Sequence, residues 1–482
     1  MEAHVISWGD FGCGCGAIVD SPGAGRLLLF EKDVRGLGVI AAPSYVRPFG
    51  GRLGWRSFTA EEPRMTLPAA AHATHDSTLD DPKLPDPFTL QPLRYQPSFE
   101  FLEEDEEKTG EALVAAMRGI SEKVLKDEGH AYRSVHAKSH GLLLGEMEVL
   151  DKLPPAYAQG VFSQPGRYPA VMRLSTIPGD LLHDAVSTPR GFALKLVGVP
   201  GDRVPGSEGD TTQDFLMVDS PNFSAKSARQ FLRSVKLVAA TTDRLPSLKQ
   251  ALSVVLRGLE RWAEKADTEL NSLKALGAHP PTHPLGDRYY GQLPVLWGPY
   301  MAKFCLVPVD DSLLALRQHP VDLDAHHDAL RLAVEAHFAR EGGAWELRVQ
   351  LCTDLTRMPL EDPSEPWSEV LSPYVPVAML RAGPQPGWSR ELSVAIDDGM
   401  SFSPWHALAA HRPLGAIMRI RQAAYRMAAE FRAAHNPTPV VEPRSLAALK
   451  ALLGEAGQQA WPSEGMALRG AEPPGNFSRP VE

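Results

Sequence analysis

Residues 188–195 read Thr-Pro-Arg-Gly-Phe-Ala-Leu-Lys, and the strand pattern that decides the fold begins here. After this Gly- and Pro-containing break, the apolar residues Phe192, Leu194 and Leu196 occupy every second position, as one buried face of a β-strand requires. Similar short runs rich in β-forming residues are found at 133–149, 170–176 and 214–218. Because Gly- and Pro-rich breaks separate them, the runs predict a β-sandwich or β-barrel.

Helical periodicity dominates other parts of the chain. Residues 111–127 and 414–434 repeat apolar side chains at helical spacing, which predicts two long amphipathic helices. Three further helices are predicted: one at 225–266, one from a cap at Asp322 or Asp324 to about 340, and one at 445–453. A strand is predicted at 345–353, and a Pro-rich segment at 360–400 is predicted to lie on the surface.

Composition excludes several classes of protein. With a formal net charge of -10 and no basic cluster, the chain is not expected to bind nucleic acid or an anionic membrane. No apolar run approaches the roughly 20 residues of a membrane span, and the N-terminus does not resemble a secretory signal. Four cysteines are too few for a disulfide framework, so we expect a cytoplasmic protein.

Three regions are expected along the chain. Residues 1–90 are rich in Gly, Ala and Pro without a repeating apolar face, which predicts a poorly ordered extension. Residues 91–436 form the main domain, and 437–482 form a Pro-rich tail with a short helix. The glycines between positions 9 and 16 imitate a dinucleotide loop, but Pro22 stands where the helix should begin.

A first polar constellation surrounds His136. Residues 133–141 read Arg-Ser-Val-His-Ala-Lys-Ser-His-Gly, and residues 173–176 read Arg-Leu-Ser-Thr. A neutral imidazole near its ordinary pKa of about 6.5 can accept and return a proton at neutral pH. A histidine on a strand is nevertheless more often a core side chain that a neighbour satisfies, so the motif alone leaves both readings open.

A second constellation lies on the last long helix. Arg421 and Tyr425 are four residues apart and therefore share one face, to which Arg432 returns two turns later. By itself this pattern is more typical of a surface Arg–Tyr pair beside an apolar face.

Together the constellations resemble the catalase superfamily. Catalases carry R-x-x-H-A-K-G, then R-F-S-T, then D-P-R-G-F-A-V-K, and residues 133–138, 173–176 and 188–195 match these segments in the same order. Residues 411–415, His-Arg-Pro-Leu-Gly, resemble the smaller catalase-related proteins in particular. The proximal-helix pattern R-x-x-x-Y with a following Arg and Asn is matched by Arg421, Tyr425, Arg432 and Asn436.

The resemblance implies an α+β fold, an antiparallel β-barrel with surrounding helices, and one buried haem b. It implies that His136 is the catalytic acid and base and that Ser175 holds its other ring nitrogen. Tyr425 would ligate the iron as a phenolate, with the cation of Arg421 beside it. The other implied cofactor-binding residues are Arg133 and Arg432 at the propionates, Arg173, and Phe223 on the distal side of the haem.

Two assignments carry alternatives. His140 rivals His136 as the distal base, although the position of Arg133 favours His136. A cluster of possible metal ligands is formed by Asp322, Asp324, His326 and His327. The solvated start of a helix explains these residues better than a metal site does.

One departure from ordinary catalases bears on the reaction. The first asparagine of their G-N-N-T-P segment falls on Asp210, or on Thr211 if the alignment shifts by one. Neither side chain is a fixed amide donor to a bound peroxide. We therefore expect weak catalase activity beside peroxidase activity.

These features predict a haem-dependent oxidoreductase that uses hydrogen peroxide or an organic hydroperoxide with an unidentified reductant. Two alternatives stay open. The first is isomerisation or dehydration of a fatty-acid hydroperoxide, as allene oxide synthases perform, and the second is a non-catalytic haem carrier. Intact His136 and Ser175 argue against the carrier, and the sequence leaves the oligomeric state open.

Overall fold

The computed structural model describes residues 84–177, 179–186, 188–241 and 280–461, together with the backbone of three short N-terminal strands. These strands, β1 (Val5–Ile6), β2 (Cys15–Val19) and β3 (Leu27–Glu31), pair as an antiparallel sheet within the unit Met1–Asp76. Most of the predicted extension, with the glycines at 9, 12 and 14, lies outside the described residues. The predicted boundaries at 90 and 436 stay predictions.

The second unit, Ser77–Glu482, contains a closed antiparallel barrel of eight strands in the order β10-β11-β4-β5-β6-β7-β8-β9. This confirms the predicted barrel. The strands are β4 (Ser139–Val149), β5 (Arg167–Thr176), β6 (Arg190–Val197), β7 (Thr212–Val218), β8 (Tyr289–Trp297), β9 (Tyr300–Pro308), β10 (Gly343–Leu351) and β11 (Val375–Ala382).

The barrel core is built from alternate residues of each strand. On β6 the residues of the barrel core are Phe192, Leu194 and Leu196, as their spacing predicts, and Trp345 and Leu347 alternate in the same way on β10. Because successive strand residues point to opposite faces, this alternation fills the barrel with side chains from every strand.

Helices cover the outside of the barrel, which confirms the predicted α+β class. The long helices α1 and α6 pack against each other, and their shared apolar cluster includes Leu113 and Ile420. None of the described helices is long and apolar enough to cross a membrane. In chain order the helices are α1 (Glu106–Glu128), α2 (Ala228–Thr241), α3 (Asp311–Leu314), α4 (Ala329–Phe338), α5 (Arg390–Leu392), α6 (Ala416–His435), α7 (Leu446–Leu453) and α8 (Glu455–Ala460).

One helix starts later than the sequence predicts. The helix expected to start at Asp322 or Asp324 is α4, which starts only after Asp328. Asp322 instead accepts a hydrogen bond from the backbone N–H of Asp324, at 3.2 Å, so its carboxylate stabilises a turn before the helix. Of the helix predicted at 225–266, only α2 falls within the described residues.

Candidate functional site

His136 and Ser175 meet at one end of the barrel, where β4 begins and β5 ends. His136 Nδ1 lies 3.1 Å from Ser175 Oγ, and the His136 N–H donates to the carbonyl of Ile177. When Nδ1 donates its proton to the hydroxyl, Nε2 is the ring nitrogen that can accept one. The backbone of His136 has a φ of 55°, a left-handed conformation that a non-glycine residue keeps only when its surroundings hold it.

Gly191 provides the space for this imidazole. A Cβ added there would lie 2.6 Å from the Cε1 and Nδ1 atoms of His136 and 3.2 Å from Ser175 Oγ. Both distances are closer than ordinary van der Waals contact, so a side chain at this position would push the ring away from Ser175.

Gly191→Ala is therefore expected to lower the free energy of unfolding by about 1–3 kcal/mol, the usual cost of overpacking. Urea titration measures this loss. Gly119→Ala is the matched control, because its Cβ would meet no atom within 4 Å on α1. The control should be neutral or slightly stabilising, since alanine favours helix. An equally neutral Gly191→Ala would contradict the contact.

The protonation of His136 differs from the expectation of an ordinary pKa. Burial, with the cations of Arg173 and Arg421, lowers its pKa from 6.5 to about 3. Although the residue is only half-buried, the imidazole is neutral at pH 7.

Arg421 and Tyr425 form the second pair, on α6. Arg421 Nη2 donates a hydrogen bond of 2.6 Å to the Tyr425 phenol oxygen. A guanidinium in this place stabilises negative charge on that oxygen. Arg421 also lowers the pKa of His136, so the charge of this guanidinium acts on the imidazole.

Phe223 lies close to Arg421. Its ring centroid is 5.2 Å from that of Phe231, and the Arg421 guanidinium carbon is 5.9 Å from each of the two centroids. These distances place Phe223 in an aromatic and cationic cluster beside Tyr425. Its predicted position over the distal face stays a prediction.

The other three predicted arginines gather near one carboxylate, Asp397. Arg173 Nε and Arg133 Nη1 donate to Asp397 Oδ1, at 2.6 and 3.2 Å. Arg133 and Arg432 also donate to the same backbone carbonyl, that of Met400, each at 3.1 Å. Asp397 belongs to the Pro-rich segment 360–400, for which the sequence predicts a surface wrap, so no local pattern identifies it as a counter-charge.

This arginine cluster carries more positive than negative charge. Burial and Arg173 lower the pKa of Arg432 to about 10, and burial and the other two arginines lower that of Arg133. Among the described residues, Arg432 Nε has no hydrogen-bond partner although it is buried. An anionic ligand such as a carboxylate would relieve both the repulsion and the unpaired donor. The residues present therefore fit a cofactor with propionate groups.

His140, the alternative distal base, faces a different set of residues. Its Nε2 lies 3.0 Å from Thr176 Oγ1, and its Nδ1 is 3.8 Å from Asp184 Oδ2. Burial and Lys138 hold its pKa well below the usual value. The ring is fully enclosed, which is the environment of a core histidine.

A second buried polar group joins β6, β7 and the C-terminal segment. Lys195 Nζ donates to both oxygens of Asp214, at 2.8 and 3.0 Å, and to Glu442, while His406 Nδ1 lies 3.0 Å from Asp214. Within the described part of the chain, Asp214, His406 and Glu442 are the one group close enough together to hold a metal ion. The Lys195 ammonium already lies among these oxygens, so we interpret the group as an internal ion cluster.

Asp214→Ala is expected to lower the free energy of unfolding by about 3–5 kcal/mol, because it leaves a buried ammonium without its main partner. The control is Asp210→Ala, whose carboxylate lies 3.7 Å from the exposed Arg444. Such a surface pair contributes about 1 kcal/mol or less. Equal losses in urea titration would refute the assignment of Asp214.

Asp210 and Thr211 do not lie where the catalase alignment places them. The Thr211 hydroxyl donates to the Arg444 carbonyl, at 2.6 Å, and Asp210 also faces Arg444. The next residue, Thr212, pairs with Val197, at the end of β6 opposite to Gly191. Their predicted position beside a bound peroxide is therefore corrected, because they face the C-terminal segment, and the weak catalase activity stays a prediction.

Comparison with known proteins finds similarity at the level of fold. No protein-family model and no curated protein matches the sequence. A bacterial catalase structure is 16% identical with a TM-score of 0.47, and the match covers 74% of this chain and 65% of that one. The chain thus spans slightly less than two thirds of that catalase.

Two further structures give similar values. A fungal catalase is 16% identical with a TM-score of 0.47, and the match covers 75% of each chain. Catalase A from Saccharomyces cerevisiae is 15% identical with a TM-score of 0.46, covering 82% of this chain and 79% of that one. All three of these solved structures are catalases.

Proposed function

We propose that this chain is a haem-dependent peroxidase or catalase that acts on hydrogen peroxide or an organic hydroperoxide. One observation carries the proposal: Ser175 holds a neutral His136, Arg421 holds Tyr425, and the Arg421 charge also acts on the His136 imidazole. A proton acceptor and a potential anionic metal ligand are the two groups that haem-dependent peroxide cleavage needs from a protein.

The protein side of the reaction follows from these residues. Bound haem would supply an iron that takes up the peroxide and exchanges electrons with it. Tyr425 would hold that iron through its phenol oxygen, with Arg421 stabilising the negative charge. The surplus guanidinium charge at Arg133 and Arg432 would pair with the propionates.

His136 would move the proton. Its Nε2 accepts the proton of the inner peroxide oxygen and returns it to the outer oxygen, which then leaves as water or an alcohol. Ser175 keeps Nδ1 occupied, so that the ring stays in one orientation and tautomer during this transfer. The low pKa of His136 means that the free ring is in the accepting form throughout the neutral range.

The test is to load the purified protein with haem b and record its absorption spectrum, then its reaction with peroxide. We expect a stable complex and oxidation of a reducing dye by hydrogen peroxide. An oxygen electrode measures the catalase share of the turnover. Products from a fatty-acid hydroperoxide identify isomerase or dehydratase activity. A complex that turns over none of these substrates would be a haem carrier, and a protein that retains no haem would refute the proposal.

A further inference from the structure

Asp397 lies in an unusual stretch of backbone. It belongs to the π-helical segment Ser393–Asp398, which continues directly from α5. A single π-turn inserts into a helix at a cost in stability and is frequent at functional sites. This turn brings the Asp397 carboxylate to the start of β4 and the end of β5.

Four side-chain donors converge on this carboxylate. Oδ1 accepts from Arg173 Nε and Arg133 Nη1, and Oδ2 accepts from the hydroxyls of Ser139, at 2.7 Å, and Ser393, at 2.9 Å. Burial alone would raise its pKa, but Arg173 and Arg133 keep the pKa below the usual value. Asp397 is therefore an ionised and firmly held group, and its own position is fixed.

Arg173 connects Asp397 to His136. With Nε bound to the carboxylate, Arg173 Nη2 donates to the backbone carbonyls of His136 and Ala137, at 2.8 and 3.0 Å. Arg173 and Ser175 are two residues apart on β5 and so point to the same face of the strand. One therefore holds the backbone of His136, and the other holds its ring.

We propose that Asp397 is a positioning residue for His136 and acts through Arg173. The left-handed backbone of His136 needs external contacts to persist, and the Arg173 fork supplies two of them at a geometry that Asp397 fixes. The catalytic value of this arrangement rests on the proposed function. The positioning itself belongs to the chain alone and can be measured without haem.

The first measurement uses haem-free protein with ¹⁵N-labelled histidine. The imidazole signals of His136 are assigned by their loss in His136→Ala, and they report the tautomer and mobility of the ring. In Asp397→Asn we expect these signals to shift towards a mixture of tautomers and to broaden. The matched control is Asp398→Asn, the next residue, whose carboxylate lies 2.9 Å from His130 Nε2.

The second measurement uses haem-loaded protein and the rate of cyanide binding, which requires a distal base to take the proton of hydrogen cyanide. Asp397→Asn should slow this association by about tenfold or more, since small misplacements of a reacting group cost up to about a hundredfold. Asp398→Asn should bind cyanide at the unmodified rate.

Each outcome decides the proposal. Unchanged His136 signals in Asp397→Asn, or equal changes in both variants, would overturn it. If Asp397→Asn does not fold, Arg173→Lys keeps the charge but loses the two-carbonyl contact and should alter the same signals; no change there would also overturn it. A chain that binds no haem would refute the proposed function, while the ¹⁵N measurement would still test Asp397.

Discussion

Replacing Tyr425 with phenylalanine is expected to abolish stable haem binding or to change the visible spectrum completely. The substitution removes the oxygen that accepts the hydrogen bond from Arg421 and would ligate the iron. It leaves the ring, and therefore the packing of α6, in place. The haem-to-protein ratio after gel filtration and the absorption spectrum are the measurements.

The control for this prediction is Tyr168→Phe, which removes a phenol oxygen from β5 at a partly exposed position. It should retain haem with an unaltered spectrum. If Tyr425→Phe also keeps the full haem content and the same spectrum, Tyr425 is not the ligand.

His136→Ala should leave haem bound but slow the reaction with peroxide by a factor of about 10²–10⁴, the usual contribution of a positioned acid–base group. Stopped-flow absorption with hydrogen peroxide measures the rate. In the unmodified protein this rate should be flat between pH 5 and 8. The reason is the direction of the shift: with a pKa of about 3, His136 is in its neutral, accepting form over the whole range.

His140→Ala serves as the comparison, because His140 contacts Thr176 and lies beside Asp184. Normal peroxide reaction in His136→Ala together with a slow reaction in His140→Ala would reverse the assignment. A rate that falls below pH 6.5 would show that the working base has an ordinary imidazole pKa.

Alternation of apolar residues predicts one strand of the barrel directly. On β6 the spacing of Phe192, Leu194 and Leu196 is a sufficient signal, and the structure buries all three. By contrast, the residues of β9 read Tyr-Met-Ala-Lys-Phe-Cys-Leu-Val-Pro, an apolar run that carries no period. The turn between β8 and β9 contains Gly298, at a φ of 59°, and only the structure identifies this hairpin.

The strand β11 is not predicted from the sequence, and the reason is a proline. Pro376 makes this segment resemble a surface loop, since proline cannot donate to a strand ladder. In the structure Pro376 pairs with Arg348 next to a shift in register between β10 and β11. An irregularity of this kind is where a sheet tolerates proline, and only the partner strand reveals it.

Some contacts of the candidate site can be predicted from the sequence, and others cannot. Spacing within one element was enough to pair Arg421 with Tyr425, because four residues make about one helical turn. The contact between Asp397 and Arg173 joins positions far apart in the chain, and no local pattern encodes it. Motif matching does not fix which end of a strand a residue occupies. For this reason the alignment places Asp210 beside a bound peroxide, whereas in the structure it faces Arg444.

The closure of the barrel has a consequence for synthesis in the cell. The seam is the pairing of β4 with β11, in which Val149 lies opposite Ala378. The ribosome synthesises β4 long before β11. One edge of β4, a largely apolar strand, therefore stays unpaired while most of the domain is translated. Such long-range pairing makes folding slow and leaves a template for aggregation. Chains that end before β11 should therefore collect in inclusion bodies.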